Sequence, residues 1–193
     1  MKNEKIKGLT GKADHLINAV NRNKQGRSIM TLERVMRPRS VAVIGASKNE
    51  TKRGFQSIQT LLANKYEGAI YPVNPKENQI LGIPCYKSVR DIENTVDLAL
   101  IATPAITTPS ILEECGKKDV GGAVILAGGF REIGGQGKAL EEQMLSVASK
   151  YSIRIIGPNT SGMMNLHTNL NLVGIQDAPK GHIALLSQSG NMA

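Results

Sequence analysis

The chain has no tryptophan, only two phenylalanines and four tyrosines, and neither of its two cysteines belongs to a Cys-x-x-Cys pair. The shortage of rings removes the stacking platform that single-stranded nucleic acid uses. The cysteine spacing removes a zinc ribbon or a dithiol redox motif, so Cys85 and Cys115 read as reduced core thiols. No apolar run approaches the ~18–20 residues needed to span a bilayer, and the N-terminus lacks the apolar stretch of a secretory signal. The sequence therefore predicts a soluble, cytoplasmic protein with no membrane partner. Acidic residues are scarce at one end only. Residues 1–39 hold ten Lys/Arg against three Asp/Glu, whereas residues 40–193 hold fourteen against thirteen. The leader thus carries +7 of the net charge of +8, a short basic tail of the kind that is more often a solvated extension, and nucleic-acid binding is not expected. Glu4 and Asp14 interrupt the charge pattern of a mitochondrial presequence.

What is present fits an α/β domain. With 193 residues, 40% apolar and 21% charged, the chain suits one domain, or one domain and the start of another. Residues 1–29 read as a basic extension or linker, with a short amphipathic helix around Ala13–Val20. A second short helix opens near Met30, with Thr31 as its cap and Pro38 beyond its end. From Ser40 onward, five nearly continuous apolar runs follow: Val41–Ile44, Ala69–Val73, Leu98–Ala102, Ala123–Leu126 and Ile153–Ile156. Such runs mark strands buried on both faces. Between them lie helical segments at Phe55–Asn64, Pro109–Lys117 and Lys138–Lys150, and a turn near Ser88–Ile92. The last helix sets Leu140, Met144, Leu145 and Ala148 on one side. The alternation predicts a Rossmann-like, doubly wound parallel sheet with helices on both faces. A sixth run, Ile183–Leu186, predicts the first strand of another unit.

Ligands of such sheets bind beyond the carboxyl ends of the strands, so those loops hold the candidates. After the first strand, Gly45, Ala46 and Ser47 form a tight turn. Lys52 and Gly54 follow at the next helix start, where free N–H groups and the dipole favour phosphate. The loop lacks GxGxxG, and an ordinary glycine turn is the alternative. An NAD site would place Asp or Glu after the second strand, but the sequence there is Val73-Asn74-Pro75-Lys76. An amide and a cation favour a phosphorylated ribose, as in NADP or the 3′-phosphorylated ADP part of coenzyme A; a proline-shaped turn with an exposed lysine is the plainer reading. The remaining loops carry Thr103-Pro104-Ala105, Gly128-Gly129-Phe130, Asn159 within Gly157–Gly162, and Ser187-Gln188-Ser189-Gly190, the last resembling a helix start that faces an anion.

Taken together, several runs carry a resemblance. They are Arg37-Pro-Arg-Ser-Val-Ala-Val-Ile-Gly-Ala-Ser47, Lys52 with Gly54, Ile70-Tyr-Pro-Val-Asn-Pro-Lys76, Ser88-Val-Arg-Asp-Ile92, Val96-Asp-Leu98, Pro104-Ala105, Glu114-Cys-Gly116, Gly157-Pro-Asn159 and Ser187-Gln-Ser-Gly190. In this order and spacing, residues 31–193 resemble the CoA-binding domain of ADP-forming acyl-CoA synthetases, relatives of the succinyl-CoA synthetase α subunit.

The resemblance implies a reversible exchange of acyl-CoA, ADP and phosphate for free acid, CoA and ATP, through an acyl phosphate and a phosphohistidine. It implies that Gly45, Ala46, Ser47, Lys52 and Gly54 face the CoA phosphates. Val73, Asn74, Pro75, Lys76, Thr103, Pro104 and Ala105 would flank the adenosine. Gly128, Gly129 and Phe130 would border the pantetheine arm, with Asn159 towards its thiol, while Ser187, Ser189 and Gly190 would hold phosphate. Residues 30–162 would form the CoA-binding domain, and 163–193 a connection into a second, flavodoxin-like ligase domain. ATP/ADP and Mg would enter through an ATP-grasp subunit or domain.

Thr160 stands where many relatives have Cys. None of His15, His167 and His182 is assigned as catalytic, because the family's phosphohistidine follows the Ser-Gln-Ser-Gly turn; the reading predicts no catalytic residue and no metal ligand in this chain. An acyl-CoA sensor attached to a lysine acetyltransferase and an NADP-binding oxidoreductase domain are the alternatives.

Overall fold

The structure is a computed structural model, and it describes residues 32–188. The Ala13–Val20 helix, Thr31, Ser189 and Gly190 lie outside the described residues. A short helix α1 (Leu32–Met36) precedes β1 (Ser40–Ile44), followed by α2 (Arg53–Ala63) and β2 (Ala69–Val73). A small hairpin, β3 (Gln79–Ile80) and β4 (Ile83–Pro84), leads to β5 (Leu98–Ile101). Then come α3 (Thr108–Lys117), β6 (Gly122–Ile125), α4 (Gly135–Tyr151), β7 (Arg154–Ile156) and a second hairpin, β8 (Met164–Asn165) with β9 (Leu170–Asn171).

The main sheet has the order β2-β1-β5-β6-β7, and all its pairings are parallel. The strand order reverses at the β1–β5 junction, where the connections to β2 and to β5 leave in opposite directions along the sheet. This is the crevice position for ligands in open α/β sheets.

Alternation along each strand divides the core. Ala42, Ile44, Ala99, Ile101, Ala123 and Ile125 pack with Leu112 and Cys115 of α3 and with Met144 and Ala148 of α4. On the other face, Val41, Val43, Leu98, Leu100 and Val124 pack with Val35 of α1 and with Phe55, Ile58 and Leu61 of α2. Helices therefore cover both faces, as the sequence predicts for strands with no polar side. Leu145 departs from the expected stripe: it lies one residue, about 100° of helix, beyond Met144 and is 46% exposed.

The C-terminal part differs in two ways. Met163, Leu170 and Leu172 are buried in the second core cluster, so the unit expected to close at residue 162 continues through the second hairpin, which covers apolar surface beside α2. Ile183–Leu186 is not a strand, and no described strand lies beside it to supply backbone partners. Ile183 is 94% exposed and Leu186 88%.

Candidate functional site

The loops beyond β2, β1, β5, β6 and β7 meet their neighbours in that spatial order. The first two are joined by backbone and amide bonds. The N–H groups of Gly45 and Ala46 both donate to the Val73 carbonyl, at 3.1 and 3.3 Å. Asn74 Nδ2 donates to the Ala46 carbonyl at 2.6 Å, while its Oδ1 accepts from the Lys76 N–H at 2.9 Å. Asn74 thus shapes the turn that projects Lys76 and fastens it to the first loop.

The first loop meets the third at Gly45. Its φ is +87°, and a Cβ there would lie 2.8 Å from Thr103 Cγ2 and 3.0 Å from the Ala102 backbone. Only glycine fits this combination of dihedral and contact. Further along, a Cβ on Gly129 would come within 3.3 Å of Ala105 Cβ, and one on Gly128 within 3.1 Å of Asn159 Oδ1. The Asn159 N–H donates to the Ala127 carbonyl at 2.9 Å, and Arg53 Nη2 donates to the Ser161 carbonyl at 2.8 Å. The strand ends therefore form one continuous ledge with the reversal point near its middle.

The ledge has the electrostatics of an anion site. α2 begins with no side-chain cap; Lys52 occupies the cap position in an extended conformation. A Cβ on Gly54 would collide with the Gly45 carbonyl, so the helix start sits directly against the first loop. Lys52 and Lys76 are exposed and make no ion pair or side-chain hydrogen bond among the described residues. Lys48 is paired with Glu77 at 2.9 Å. Open N–H groups, two uncommitted ammonium groups and glycine-lined backbone are the parts that cradle a phosphorylated nucleotide. They fit the diphosphate and the phosphorylated ribose of coenzyme A, and no described carboxylate stands free at the end of β2.

Some predicted residues act from beneath. Ala46, Val73 and Phe130 are buried in the core, so only their backbones are left to line a ligand. The Val73 and Ala46 carbonyls are already engaged. Ser47 Oγ accepts the Asn49 N–H at 3.0 Å, which shapes the loop. Pro75, Pro104, Thr103 and Ala105 reach the surface at the expected place. Ser187 is exposed and does not begin a helix within the described residues. His167 Nε2 lies 3.0 Å from the Gly181 carbonyl, away from the ledge loops. Cys115 is a core thiol as expected, pushed up to about 12 first by burial, whereas Cys85 is only half-buried.

Sequence reasoning missed Glu132. Its Oε1 accepts the Gly129 N–H at 2.6 Å and its Oε2 accepts the Phe130 N–H at 3.2 Å. These backbone donors, the Gly129 N–H foremost, hold its carboxyl below the ordinary range. The signal was an acidic residue three positions after a glycine pair, in reach of exposed N–H groups. A depression bordered by Arg53, Gln56, Thr60 and Val173 runs along α2.

The chain is 49% identical over 160 residues to the ADP-forming acetate–CoA ligase of Methanocaldococcus jannaschii, a match that covers 82% of this chain and 22% of the ligase. It is 45% identical to the α subunit of ADP-forming acetate–CoA ligase II of Pyrococcus furiosus, covering 82% and 35%. Among solved structures, acetyl-coenzyme A synthetase 1 of Ca. Korarchaeum cryptofilum, in complex with phosphate and ADP, superposes with a TM-score of 0.80 at 37% identity, covering 84% of this chain and 35% of that one. The chain thus spans about a quarter to a third of the length of such relatives. No helix among the described residues is long and apolar enough to cross a membrane. The model describing a CoA binding domain matches residues 39–165, from the start of β1 through β8, and this chain belongs to that family.

Proposed function

We infer that this chain is the CoA-binding part of an ADP-forming acyl-CoA ligase, working in the cytoplasm with an ATP-grasp subunit or domain that handles ATP, ADP and Mg. The observation that carries this reading is the unbroken ledge at the strand reversal, with its uncapped helix start, its glycine cradle at Gly45 and Gly54, and the uncommitted Lys52 and Lys76. The family match and the ligase names of relatives that are 45–49% identical to this chain over 160 aligned residues support it.

Coenzyme A supplies the thiol that carries the acyl group; this chain's residues bind and orient it. Lys52 and the first turn of α2 meet the diphosphate. Lys76, projected by the Asn74 turn, meets the 3′-phosphate. Gly128 and Gly129 let the pantetheine arm lie close to the backbone, and Asn159, against Gly128, borders the arm towards its thiol. Ser187, Ser189 and Gly190 serve the phosphate-holding turn of the complete ligase.

The test is calorimetric titration of the chain with CoA, dephospho-CoA and NADPH at one salt concentration. The expected result is tight CoA binding, weaker dephospho-CoA binding and little heat with NADPH. NADPH binding without CoA binding would turn the reading towards an oxidoreductase domain.

A further inference from the structure

The first two ligand loops are joined by an ion pair that phosphate binding does not by itself require. Lys48 Nζ lies 2.9 Å from Glu77 Oε2, with the lysine side chain 62% exposed and the glutamate 24%. Glu77 is held from behind as well. Lys87 Nζ donates to the Glu77 carbonyl at 2.9 Å and to Asn78 Oδ1 at 3.1 Å. An ion pair this exposed contributes little to stability, and the Asn74–Ala46 hydrogen bond already braces the same loops. The consequence of the pair is therefore electrostatic.

Glu77 directly follows Lys76. Left alone, a carboxylate at this position would repel a phosphate monoester, whose charge at neutral pH is about −1.5 to −2. It would also attract an unmodified ribose diol, the partner that an acidic residue takes after the second strand of NAD-binding folds. Lys48 counters both tendencies by occupying the carboxylate.

We propose that Lys48 is a specificity-determining residue: by holding Glu77, it silences the carboxylate beside Lys76 and makes the site select adenosine with a phosphorylated ribose over adenosine with a free diol. The proposal rests on the CoA reading and deepens it, because discrimination then depends on neutralising a wrong charge as well as supplying a right one.

The experiment titrates CoA and dephospho-CoA calorimetrically into the full chain and into Lys48→Met, Glu77→Gln and the double variant, with unfolding curves to establish that each is folded. Lys48→Met is expected to weaken CoA about fivefold, the scale of one unscreened charge contact in water, while dephospho-CoA stays within about twofold. Adding Glu77→Gln to Lys48→Met restores the wild-type ratio, since the repelling carboxylate is gone. Glu77→Gln alone leaves CoA binding unchanged or tighter, and it carries the test if Lys48→Met does not fold. The preference lost in Lys48→Met also shrinks at higher salt.

Equal weakening of both ligands by Lys48→Met, no change in either, or a CoA loss in Glu77→Gln alone would overturn the proposal and leave the pair a structural brace. Wild-type binding of CoA and dephospho-CoA with equal affinity would overturn it while the CoA reading stands. Failure of the wild type to bind either ligand would remove both.

Discussion

The two ends of the central sheet solve opposite problems. At the amino end, charge is consumed by the protein. Asp97 is buried and takes Arg34 Nε at 2.6 Å on one oxygen and the Arg39 N–H at 2.9 Å on the other. Arg34 also donates to the Val96 and Asp119 carbonyls. Ser40 Oγ bridges the Thr95 carbonyl and the Asp97 N–H, and the Tyr66 hydroxyl donates to the Pro38 carbonyl. At the carboxyl end, Lys52 and Lys76 are left over, a helix start is uncapped, and glycines hold the backbone open. A network whose partners are all internal stabilises the fold; a surface with unspent donors and cations awaits a ligand.

The strongest way to sharpen that contrast is Asp97→Asn. Removing the charge from Asp97 leaves Arg34 only the exposed Asp119 carboxylate, 3.8 Å away, as counter-ion, and we expect a loss of about 3 kcal/mol in unfolding free energy, measured from the urea midpoint. CoA affinity of the folded protein should be unchanged, because the network lies at the far end of the strands. A variant that unfolds at the wild-type midpoint would show that the amino-end network is dispensable.

Gly54→Ala probes the place where the two roles coincide. The new methyl group would meet the Gly45 carbonyl, so α2 must shift from the first loop, at an expected cost of about 2 kcal/mol. Thermal unfolding and CoA titration should therefore both fall. Unaltered melting with lost binding would mean that α2 is less rigidly seated than the contact indicates.

Much of this architecture was legible in the chain. The five main strands and three longer helices follow from apolar runs and helical spacing, because strands buried on two faces have few polar residues to confuse the pattern. The hairpins were not legible. Between β3 and β4, Leu81 and Gly82 both have positive φ, as a type I′ turn requires. A leucine hides that signal because Asn, Asp or Gly ordinarily stands there. In β9, Asn171 is buried between Leu170 and Leu172 and breaks the alternation. Its amide is satisfied by the Ile175 carbonyl and by the Val173 and Gly174 N–H groups, contacts that only the folded loop supplies. The site was legible as loops but not as braces: nothing in the residue types distinguishes Lys76, which is uncommitted, from Lys48 and Arg53, which are engaged.

Lys76→Ala tests whether that leftover cation has a ligand. We expect CoA to weaken about tenfold more than dephospho-CoA, the scale of one charge-assisted hydrogen bond, with no change in melting temperature because the exposed side chain makes no ion pair or hydrogen bond among the described residues. Equal losses for the two ligands would assign Lys76 to the diphosphate or to general electrostatic attraction.

The smallest effect concerns Glu132, a carboxylate that the carboxyl end spends on its own backbone. Glu132 binds backbone N–H groups of the glycine loop, so its folded pKa lies below its unfolded value of about 4.3. A depressed carboxyl pKa contributes stability that is fully present above the unfolded pKa and is lost as pH falls through the folded one. Between pH 6 and 8 Glu132 should therefore leave stability flat, and below about pH 4 its share should decline. The Gly129 amide resonance should report the same step, with a midpoint below the ordinary glutamate range, and Glu132→Gln should abolish it. That substitution should loosen the Gly128–Gly129 end of the ledge while the amino-end network stays intact, weakening CoA by about two- to threefold, less than one full hydrogen bond to a charged group. A Gly129 amide that titrates at the ordinary glutamate value would mean that Glu132 does not shape the loop, leaving that to its glycines and to the Arg131–Glu141 pair.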